Sequence, residues 1–493
     1  MKKLPDHWRA PVSMRLLSLA LLTALLTSCV VAKRDPVTEI YINPESKPES
    51  QSKPATIPPV VITSGFLGSK LFDHDSGEVA WGHFLGGQQL VFRDDVQRRL
   101  ALPMTGGDTL VEMRDALEPI EPMHNAVIEL GSKEITVNAY PGLIHGLLIG
   151  AASDSSLEEE PSAADLRKWA RSIEDEPQMS DPVRGVAFDW RRDVTEETPR
   201  LAKVIDRAYQ EKLDQGYTGD SAKVDIVTHS LGALLVRYYL RYGTQALPED
   251  GSAPVLDWRG AEKVRRAIFL GPPISGSLDS FKLLIEGGRP HPVMPKTPVQ
   301  VSGSWVSLYQ LMPDRNSNSV RSSEDGTEID VYDIETWEKF GWGLLNRSHD
   351  SQQVLENLMP DLRSREARYQ AARRYLEMCL KQALQLRTAL NIPSSPPPGT
   401  SMHVFASNAW DTEGIAVIEP TSGKIVEMVK VPGDGRVTRS SALGDRRLDP
   451  DPTQAIESPV DWATVHFTSG EHFGMVADPT LINNLLYLLL QAP

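Results

Sequence analysis

Apolar and polar positions alternate in two rhythms along this chain. Short β-branched runs predict strands at residues 60–64, 185–188, 224–228, 266–270, 403–406 and 464–467. Apolar positions that repeat every three to four residues predict helices at residues 197–213, 233–242, 363–386 and 479–490. Strands alternating with helices are typical of a mostly parallel sheet with crossover helices. We therefore expect one α/β domain over residues 59–493.

Two long stretches interrupt this rhythm, at about residues 72–182 and 274–398. The second contains a polar segment, residues 316–328, which we expect to be a mobile loop before the long helix. Insertions in α/β enzymes commonly cover the carboxyl ends of the strands. We therefore predict a cap or lid built from the two insertions.

One strand pattern ends abruptly at a serine. Residues 224–232 read VDIVTHSLG, and a helical pattern follows at once. Strand, sharp turn and helix are the setting of a nucleophile elbow, Gly-x-Ser-x-Gly, although Thr228 stands where the first glycine is usual. On this interpretation Ser230 attacks esters. The alternative is an ordinary buried strand whose serine caps the next helix.

Attack on an ester also needs two N–H groups that stabilise the negative charge on the carbonyl oxygen. The backbone N–H of Leu231, directly after the serine, would be one donor. We expect the other in the glycine-containing loop SGFLGS after the first strand, and we favour the N–H of Phe66. A simple glycine turn is the alternative for that loop.

A catalytic acid and a histidine follow the serine in the expected order. A strand pattern at 425–431 ends in Pro-Gly-Asp434-Gly, and the strand pattern at 464–467 leads into Thr-Ser-Gly-Glu-His472. Asp434 would hold the imidazole of His472 in its working tautomer, and His472 would accept the proton of Ser230.

Several neighbours compete for these roles. Asp411 and Asp461 are alternative acids, and His466 is an alternative histidine that lies inside a strand pattern and suits the core better. A Gly-Asp-Gly turn is itself common without any catalytic role. His229, beside the serine, is expected to pack on the other side of the elbow.

The composition describes a globular and acidic protein. The 493 residues are 40% hydrophobic and 24% charged, with a formal net charge of −15. Such a charge argues against nucleic acid as a partner. No Cys/His ligand cluster in the sequence calls for a metal, and the serine chemistry needs no cofactor.

The amino terminus predicts export. Basic residues precede the apolar stretch 16–26, which suits the core of a signal peptide at residues 1–28. Leu26-Thr-Ser-Cys29 resembles a bacterial lipobox, so we expect Cys29 to become lipidated, and a plain signal peptide is the alternative. Residues 29–58 are rich in Pro, Lys, Glu and Ser and predict a disordered tether. We expect a lipid anchor in the bacterial cell envelope. Because Val30 follows the cysteine, the outer membrane is favoured in a Gram-negative cell.

Seven blocks in this order resemble the lecithin:cholesterol acyltransferase family: PPVVITSGFLGSKL, AFDWR, VDIVTHSLG, IFLGPPISGS, WVSLYQLMP, PGDGRVTRSSAL and GEHFGMV. The resemblance implies an α/β-hydrolase core with a cap and membrane-contacting parts. It also implies a Ser–Asp–His triad at Ser230, Asp434 and His472, with oxyanion donors at Phe66 and Leu231. Family members move an acyl chain from a phospholipid to an alcohol or to water.

Three functions remain open at this point. The first is a serine-dependent acyltransferase or acyl hydrolase acting on phospholipid or a related lipid ester. The second is a carboxylesterase, lipase or phospholipase A that only hydrolyses. The third is a lipoprotein without catalysis that binds lipid or a partner. A lid around residues 81–86 is expected in the first case.

Overall fold

The computed structural model describes residues 58–82, 98–122, 125–130, 133–138, 140, 143, 147, 183–289, 296–315, 317–447 and 456–490. The predicted signal peptide, Cys29 and nearly all of the predicted tether lie outside these residues. Positions 83–86 of the predicted lid lie outside them as well.

A six-stranded parallel sheet forms the centre of the described structure. Its strands are β1 (Val60–Thr63), β7 (Val183–Val186), β8 (Val224–His229), β9 (Val264–Leu270), β11 (Ser401–Ser407) and β14 (Thr464–Thr468). They lie in the order β14-β11-β9-β8-β1-β7. All six sequence-predicted strands are members of this sheet, and no bound differs by more than two residues.

The strand order reverses between β1 and β8. From β1 the chain adds β7 on one side, then crosses to β8 and continues outward through β9, β11 and β14. In doubly wound sheets the ligand crevice opens at such a switch point, beyond the carboxyl ends of the two strands. The predicted oxyanion loop follows β1 and the predicted elbow follows β8, so both lie at this edge.

Alternate residues of the strands supply two hydrophobic layers, as the two-residue period of a strand requires. Ile226 and Phe269 belong to one core cluster, whereas Val227, Ile268 and Leu270 belong to the other. Because both faces are covered, apolar residues lie on both sides of a strand, as in VVIT of β1 and AIFL of β9.

Ten α-helices are described. They are α1 (Thr198–Asp214), α2 (Gly232–Tyr242), α3 (Leu278–Glu286), α4 (Val299–Ser302), α5 (Val306–Gln310), α6 (Ile334–Phe340), α7 (His349–Leu358), α8 (Arg365–Leu390), α9 (Arg439–Leu443) and α10 (Pro479–Leu490). The four predicted helices correspond to α1, α2, α8 and α10. None of the helices in these ranges has both the length and the apolar character needed to span a membrane.

Helix α2 begins two residues after Ser230, and every one of its residues is buried. Two contacts hold it to the carboxyl end of α8. Arg237 donates to the carbonyl oxygen of Leu390 at 2.9 Å, and Tyr242 donates to that of Ala389 at 2.7 Å. The helix that follows the serine is thus enclosed on all sides and provides a rigid base for the elbow.

Smaller antiparallel elements flank the central sheet. Strands β2 (Ser69–Asp73), β3 (Glu78–Trp81) and β4 (Leu117–Pro122) form one sheet, and β5 (Asn125–Leu130) pairs with β6 (Lys133–Asn138). A further sheet contains β10 (Val320–Ser322), β12 (Trp410–Ile418) and β13 (Ile425–Gly433) in that order.

One expectation needs correction here. The polar segment 316–328 was expected to be a loop, but it includes β10, which pairs parallel to β12. Its polar side chains fit an edge strand with a tight turn, because Asp325 accepts hydrogen bonds from the backbone and hydroxyl of Thr327. The strand before Asp434 is present as predicted. It belongs to the small sheet and pairs antiparallel to β12.

Candidate active site

Ser230 lies at the sharp turn between β8 and α2 and has a φ angle of 53°. Residues other than glycine rarely adopt a positive φ, and such a conformation costs about 1–3 kcal/mol unless its surroundings impose it. The backbone N–H of Ser230 donates to the carbonyl oxygen of Leu270 at 3.1 Å, which ties the turn to the end of β9. The strained geometry of a nucleophile elbow is therefore present.

Thr228 replaces the first elbow glycine without opening the turn. It is fully buried, and the hydroxyl of Thr63 on the neighbouring strand β1 donates to its Oγ1 at 2.6 Å. At the second elbow glycine there is no room for a side chain. A Cβ on Gly232 would lie 2.5 Å from the Ser64 carbonyl oxygen and 2.6 Å from Thr63 Oγ1. The close approach of α2 to β1 thus depends on Gly232.

His472 brings the serine and an aspartate together. Its Nε2 lies 2.9 Å from Ser230 Oγ, and its Nδ1 lies 2.7 Å from Asp434 Oδ2. All three side chains are at least nine-tenths buried. An ionised carboxylate can only accept a hydrogen bond, so Nδ1 carries the proton and the neutral imidazole presents Nε2 as an acceptor to the serine hydroxyl.

The other oxygen of Asp434 is held by its own turn. Oδ1 accepts from the backbone N–H of Arg436 at 2.9 Å and of Val437 at 2.7 Å. The N–H of His472 donates to the carbonyl oxygen of Asp434 at 2.9 Å. The carboxylate is thus aimed at the imidazole by the turn itself, although β13 is not part of the central sheet.

The loop after β1 lies against the serine. A Cβ on Gly65 would be only 2.8 Å from Ser230 Cβ. The Gly68 N–H donates to the Gly65 carbonyl oxygen at 3.0 Å, and Leu67 has a φ angle of 65°, so residues 65–68 form a tight turn. Because a peptide group is planar, the fixed Gly65 carbonyl also fixes the direction of the Phe66 N–H.

The two predicted oxyanion donors have no competing partner. No group in the described part of the chain accepts a hydrogen bond from the backbone N–H of Phe66 or of Leu231. Leu231 directly precedes the first turn of α2. The partial positive charge at a helix N-terminus favours an anion there. These N–H groups remain available to a ligand.

An aromatic cluster holds the ring of Phe66. Its ring centroid lies 5.2 Å from that of Trp190 and 5.8 Å from that of Trp305. Trp190 belongs to the Asp-Trp-Arg block and donates from Nε1 to the Ser69 carbonyl oxygen at 3.1 Å. Trp81 joins this cluster and is 4% exposed, so it is a core residue rather than part of a lid surface.

The competing residues lie elsewhere. Asp411 is within β12 opposite Pro432, and Asp461 precedes β14. His466 lies in β14, stacks on the ring of Phe405 at 4.6 Å and pairs with Thr464, while burial lowers its pKa. The structure brings neither this histidine nor these acids to Ser230.

Two further residues, Tyr140 and His229, contact the site. His229 is buried behind Ser230, with Nδ1 2.8 Å from the Tyr140 hydroxyl and Nε2 3.0 Å from the His472 carbonyl oxygen. His229 was expected only to pack. Its place before the serine was a signal in the sequence, whereas nothing in the sequence around Tyr140 indicated its role.

A cleft opens beside Ser230. Its apolar wall includes Phe66, Leu283, Leu308, Leu311 and Phe473. Its polar flank includes Asp279, whose carboxylate lies 2.8 Å from the guanidinium of Arg436. Burial raises the pKa of Asp279. Leu283, Leu308 and Leu311 come from residues 274–398, so this insertion supplies much of the apolar wall.

Metal-ligating side chains do not converge at the site. Within the described ranges, no group of three or more His, Cys, Asp or Glu side chains could hold a metal ion.

The parallel sheet with its strand-order reversal, the elbow after β8 and helices on both faces define an α/β-hydrolase fold. A profile of the lecithin:cholesterol acyltransferase family matches residues 112–391, more than half of the chain. The chain therefore belongs to the lecithin:cholesterol acyltransferase family.

Other proteins show more distant similarity. The chain is 25% identical over 188 residues to the lysosomal phospholipase A and acyltransferase of Rattus norvegicus, a match that covers 36% of this chain and 41% of the relative. The chain thus spans less than half the length of that relative. Among solved structures, the Tle4–Tli4 complex aligns with a TM-score of 0.49 at 12% identity, covering 88% of this chain and 99% of that chain. EstA from Clostridium botulinum aligns with a TM-score of 0.34 at 11% identity, covering 96% and 97%.

Proposed function

We propose that the protein is a serine-dependent acyltransferase or acyl hydrolase that acts on phospholipid or a related lipid ester. The observation that carries the proposal is the position of His472, 2.9 Å from Ser230 Oγ and 2.7 Å from Asp434 Oδ2. Membership of the family supports it. The name of the rat relative, a phospholipase A and acyltransferase, supports the same substrate class.

In the first half-reaction, His472 Nε2 accepts the proton of Ser230 as Oγ bonds to the ester carbonyl carbon. The carbonyl electrons move to oxygen, and the N–H groups of Phe66 and Leu231 stabilise that oxyanion. Collapse of the intermediate breaks the bond to the leaving alcohol, which takes the proton from His472. An acyl ester on Ser230 remains.

The second half-reaction repeats these steps with water or an acceptor alcohol. His472 Nε2 takes the proton of the acceptor as the acceptor oxygen bonds to the acyl carbon. The bond between that carbon and Ser230 Oγ then breaks, and His472 gives the proton to Oγ. Acyl transfer and hydrolysis differ only in the acceptor, which is an alcohol or water. The same three residues therefore serve both reactions. A carboxylesterase, lipase or phospholipase A that only hydrolyses is the alternative.

The walls of the cleft support a lipid substrate. An acyl chain would lie along Leu283, Leu308 and Leu311, where burying each CH₂ contributes about 0.8 kcal/mol. The polar flank with Asp279 and Arg436 would face the more polar part of the ester.

We further propose that lipidated Cys29 anchors the protein in a bacterial cell envelope. An anchor beside the substrate membrane raises the local concentration of lipid at the active site. Cys29→Ala should lose incorporation of labelled palmitate and move from the membrane fraction to the released fraction. Retention of label would contradict lipidation at Cys29.

The proposed function is tested with the full chain in mixed micelles of phosphatidylcholine, with and without a sterol or a long-chain alcohol. We expect fatty acid or a new acyl ester, and Ser230→Ala should reduce either product by at least about 10⁴-fold. Ser280→Ala, which removes another hydroxyl lining the cleft, should stay within a few-fold of wild type. An acyl ester indicates transfer, and fatty acid alone indicates hydrolysis. No Ser230-dependent product from any lipid ester would leave the alternative of a non-catalytic lipoprotein.

A further inference from the structure

A line of hydrogen bonds runs behind Ser230 and joins the loop after β1 to the loop that carries His472. The backbone N–H of Gly65 donates to the Tyr140 hydroxyl oxygen at 2.7 Å. That oxygen lies 2.8 Å from His229 Nδ1, and His229 Nε2 lies 3.0 Å from the carbonyl oxygen of His472. Tyr140, His229 and His472 are 5%, 2% and 3% exposed, so water cannot readily substitute for these partners.

The direction of each hydrogen bond follows from the groups involved. The His472 carbonyl oxygen can only accept, so His229 Nε2 must carry a proton. Burial lowers the pKa of His229 to about 3, so the ring is neutral near pH 7 and its Nδ1 accepts. The Tyr140 hydroxyl therefore donates to Nδ1 while its oxygen accepts from Gly65. The donor and the acceptor are thus fixed at every contact, so the line of hydrogen bonds has a single arrangement.

One end of the line fixes the predicted oxyanion loop. With its N–H engaged by Tyr140 and its carbonyl oxygen by Gly68, Gly65 is held on both sides, against Ser230. The next N–H along the chain, that of Phe66, has no hydrogen-bond partner in the described part of the chain. A lost hydroxyl on Tyr140 would free the Gly65 N–H and let this loop move.

The other end fixes the histidine loop. His472 donates its backbone N–H to the Asp434 carbonyl oxygen at 2.9 Å and accepts at its own carbonyl oxygen from His229. The rings of His229 and His472 are 4.9 Å apart. Because His229 stays neutral, it adds no repulsion when His472 takes up a proton during the reaction.

We propose that Tyr140 and His229 are positioning residues that set the oxyanion loop and His472 at the spacing the reaction requires. The inference rests on the proposed function. It adds two residues that act through the positions of other groups and not on the serine proton, and it assigns them one joint role. Displacing a catalytic group by about 1 Å can cost on the order of 10²-fold in rate, so the effect of losing them should fall on kcat.

The test compares Tyr140→Phe, His229→Gln and the double variant in the full chain, with lipid ester turnover as the readout. We expect each to lower kcat about 10–100-fold while KM changes less than about threefold. Because both single changes break the same line, the double variant should lose little more than either one. His229→Gln keeps a donor near the Nε2 position, so it should be more active than His229→Leu.

The matched control is Tyr332→Phe, which removes another buried tyrosine hydroxyl, one that lies outside α2 and donates to the Pro313 carbonyl oxygen at 3.1 Å. It should keep wild-type kcat. Equal kcat for Tyr140→Phe and wild type would overturn the inference, as would fully additive losses or a change in KM alone. If His229→Gln does not fold, the comparison of kcat between Tyr140→Phe and Tyr332→Phe decides.

A second measurement does not depend on turnover. In ¹⁵N-histidine-labelled protein at pH 7, His229 should appear as the neutral tautomer protonated at Nε2, with assignment from His229→Gln. A His229 ring protonated at Nδ1, or at both nitrogens, would contradict the proposed arrangement of hydrogen bonds and overturn the inference. Failure of the proposed function has a different signature, namely no Ser230-dependent turnover by the wild-type chain.

Discussion

The elbow at Ser230 and the turn at Asp434 reach the same histidine from differently built parts of the molecule. The elbow stands between β8, in the middle of the six-stranded sheet, and α2, whose residues are all buried. The turn follows β13, in a three-stranded antiparallel sheet outside the central one. Packing on all sides holds the first, whereas two backbone hydrogen bonds to Asp434 Oδ1 aim the second.

The difference separates two ways of fixing a functional side chain. At the elbow, close approach of whole elements imposes a positive φ on Ser230, so a change in packing should move the nucleophile. At the acid, the turn is shaped by the very side chain it presents. Changes there should act mainly through the carboxylate itself.

The largest expected effect is at the acid. Asp434→Asn keeps an oxygen for the two backbone donors but places an amide against His472 Nδ1, which favours the wrong imidazole tautomer. We expect kcat to fall about 10³–10⁴-fold with the unfolding midpoint nearly unchanged. Steady-state turnover and thermal unfolding measure the two quantities.

The matched control is Asp411→Asn, which alters the alternative acid in β12. It should keep kcat within a few-fold of wild type. A loss at Asp411 as large as that at Asp434 would mean that the acid has been assigned to the wrong strand.

A smaller effect is expected from packing at the elbow. Gly232→Ala places a Cβ 2.5 Å from the Ser64 carbonyl oxygen, so α2 must move away from β1. We expect kcat to fall on the order of 10²-fold. Strain of this kind should also lower the free energy of unfolding by about 1–3 kcal/mol. In Gly288→Ala the nearest atom is a Leu283 methyl at 3.4 Å, so this control should resemble wild type. Wild-type kcat in Gly232→Ala would contradict a nucleophile held by packing.

The smallest effect on catalysis is expected at His403, a residue of the central sheet that lies outside the triad. His403 on β11 pairs with Ser401 and Thr464, and burial lowers its pKa from 6.5 to about 3. As the pH falls, the His403 imidazole is protonated in the unfolded chain before it is protonated in the folded chain. The contribution of the neutral ring to the free energy of unfolding is therefore fully present above pH 6.5. It is lost as the pH falls from about 6.5 toward 3, by about 1.4 kcal/mol per pH unit.

His403→Gln should therefore show a shallower fall of the unfolding free energy between pH 6 and pH 4 than wild type. Denaturant unfolding at several pH values measures it. Parallel curves for the two proteins would show that His403 does not titrate differently in the folded and unfolded states. Catalysis at neutral pH should be unchanged, because His403 contacts none of the triad groups.

The sheet could be predicted from the sequence because burial on both faces favours short runs of apolar and β-branched residues, as in VVIT of β1 and AIFL of β9. Ser230, Asp434 and His472 could be predicted as candidates for a related reason, because each follows a recognisable strand pattern. The family resemblance supported the same three positions. It also supported Phe66 and Leu231, which the glycine-containing loop and the elbow had already indicated.

Other features depend on long-range contacts that no local pattern records. β12 carries mixed polar and apolar residues, so its sequence alone did not predict a strand. Its pairing with β13 is visible only in the structure. Tyr140 reaches His229 across 89 positions of sequence. The Thr63–Thr228 pair explains the missing elbow glycine only when β1 and β8 are seen side by side.

Labelling with a fluorophosphonate probe, followed by mass spectrometry of the peptides, tests most directly whether Ser230 is an activated nucleophile. We expect one labelled residue, Ser230, in folded wild-type protein. Labelling should be absent in Ser230→Ala and strongly slowed in His472→Ala. An unlabelled folded wild type, or a label on another serine that persists in Ser230→Ala, would contradict the assignment of Ser230 as the nucleophile.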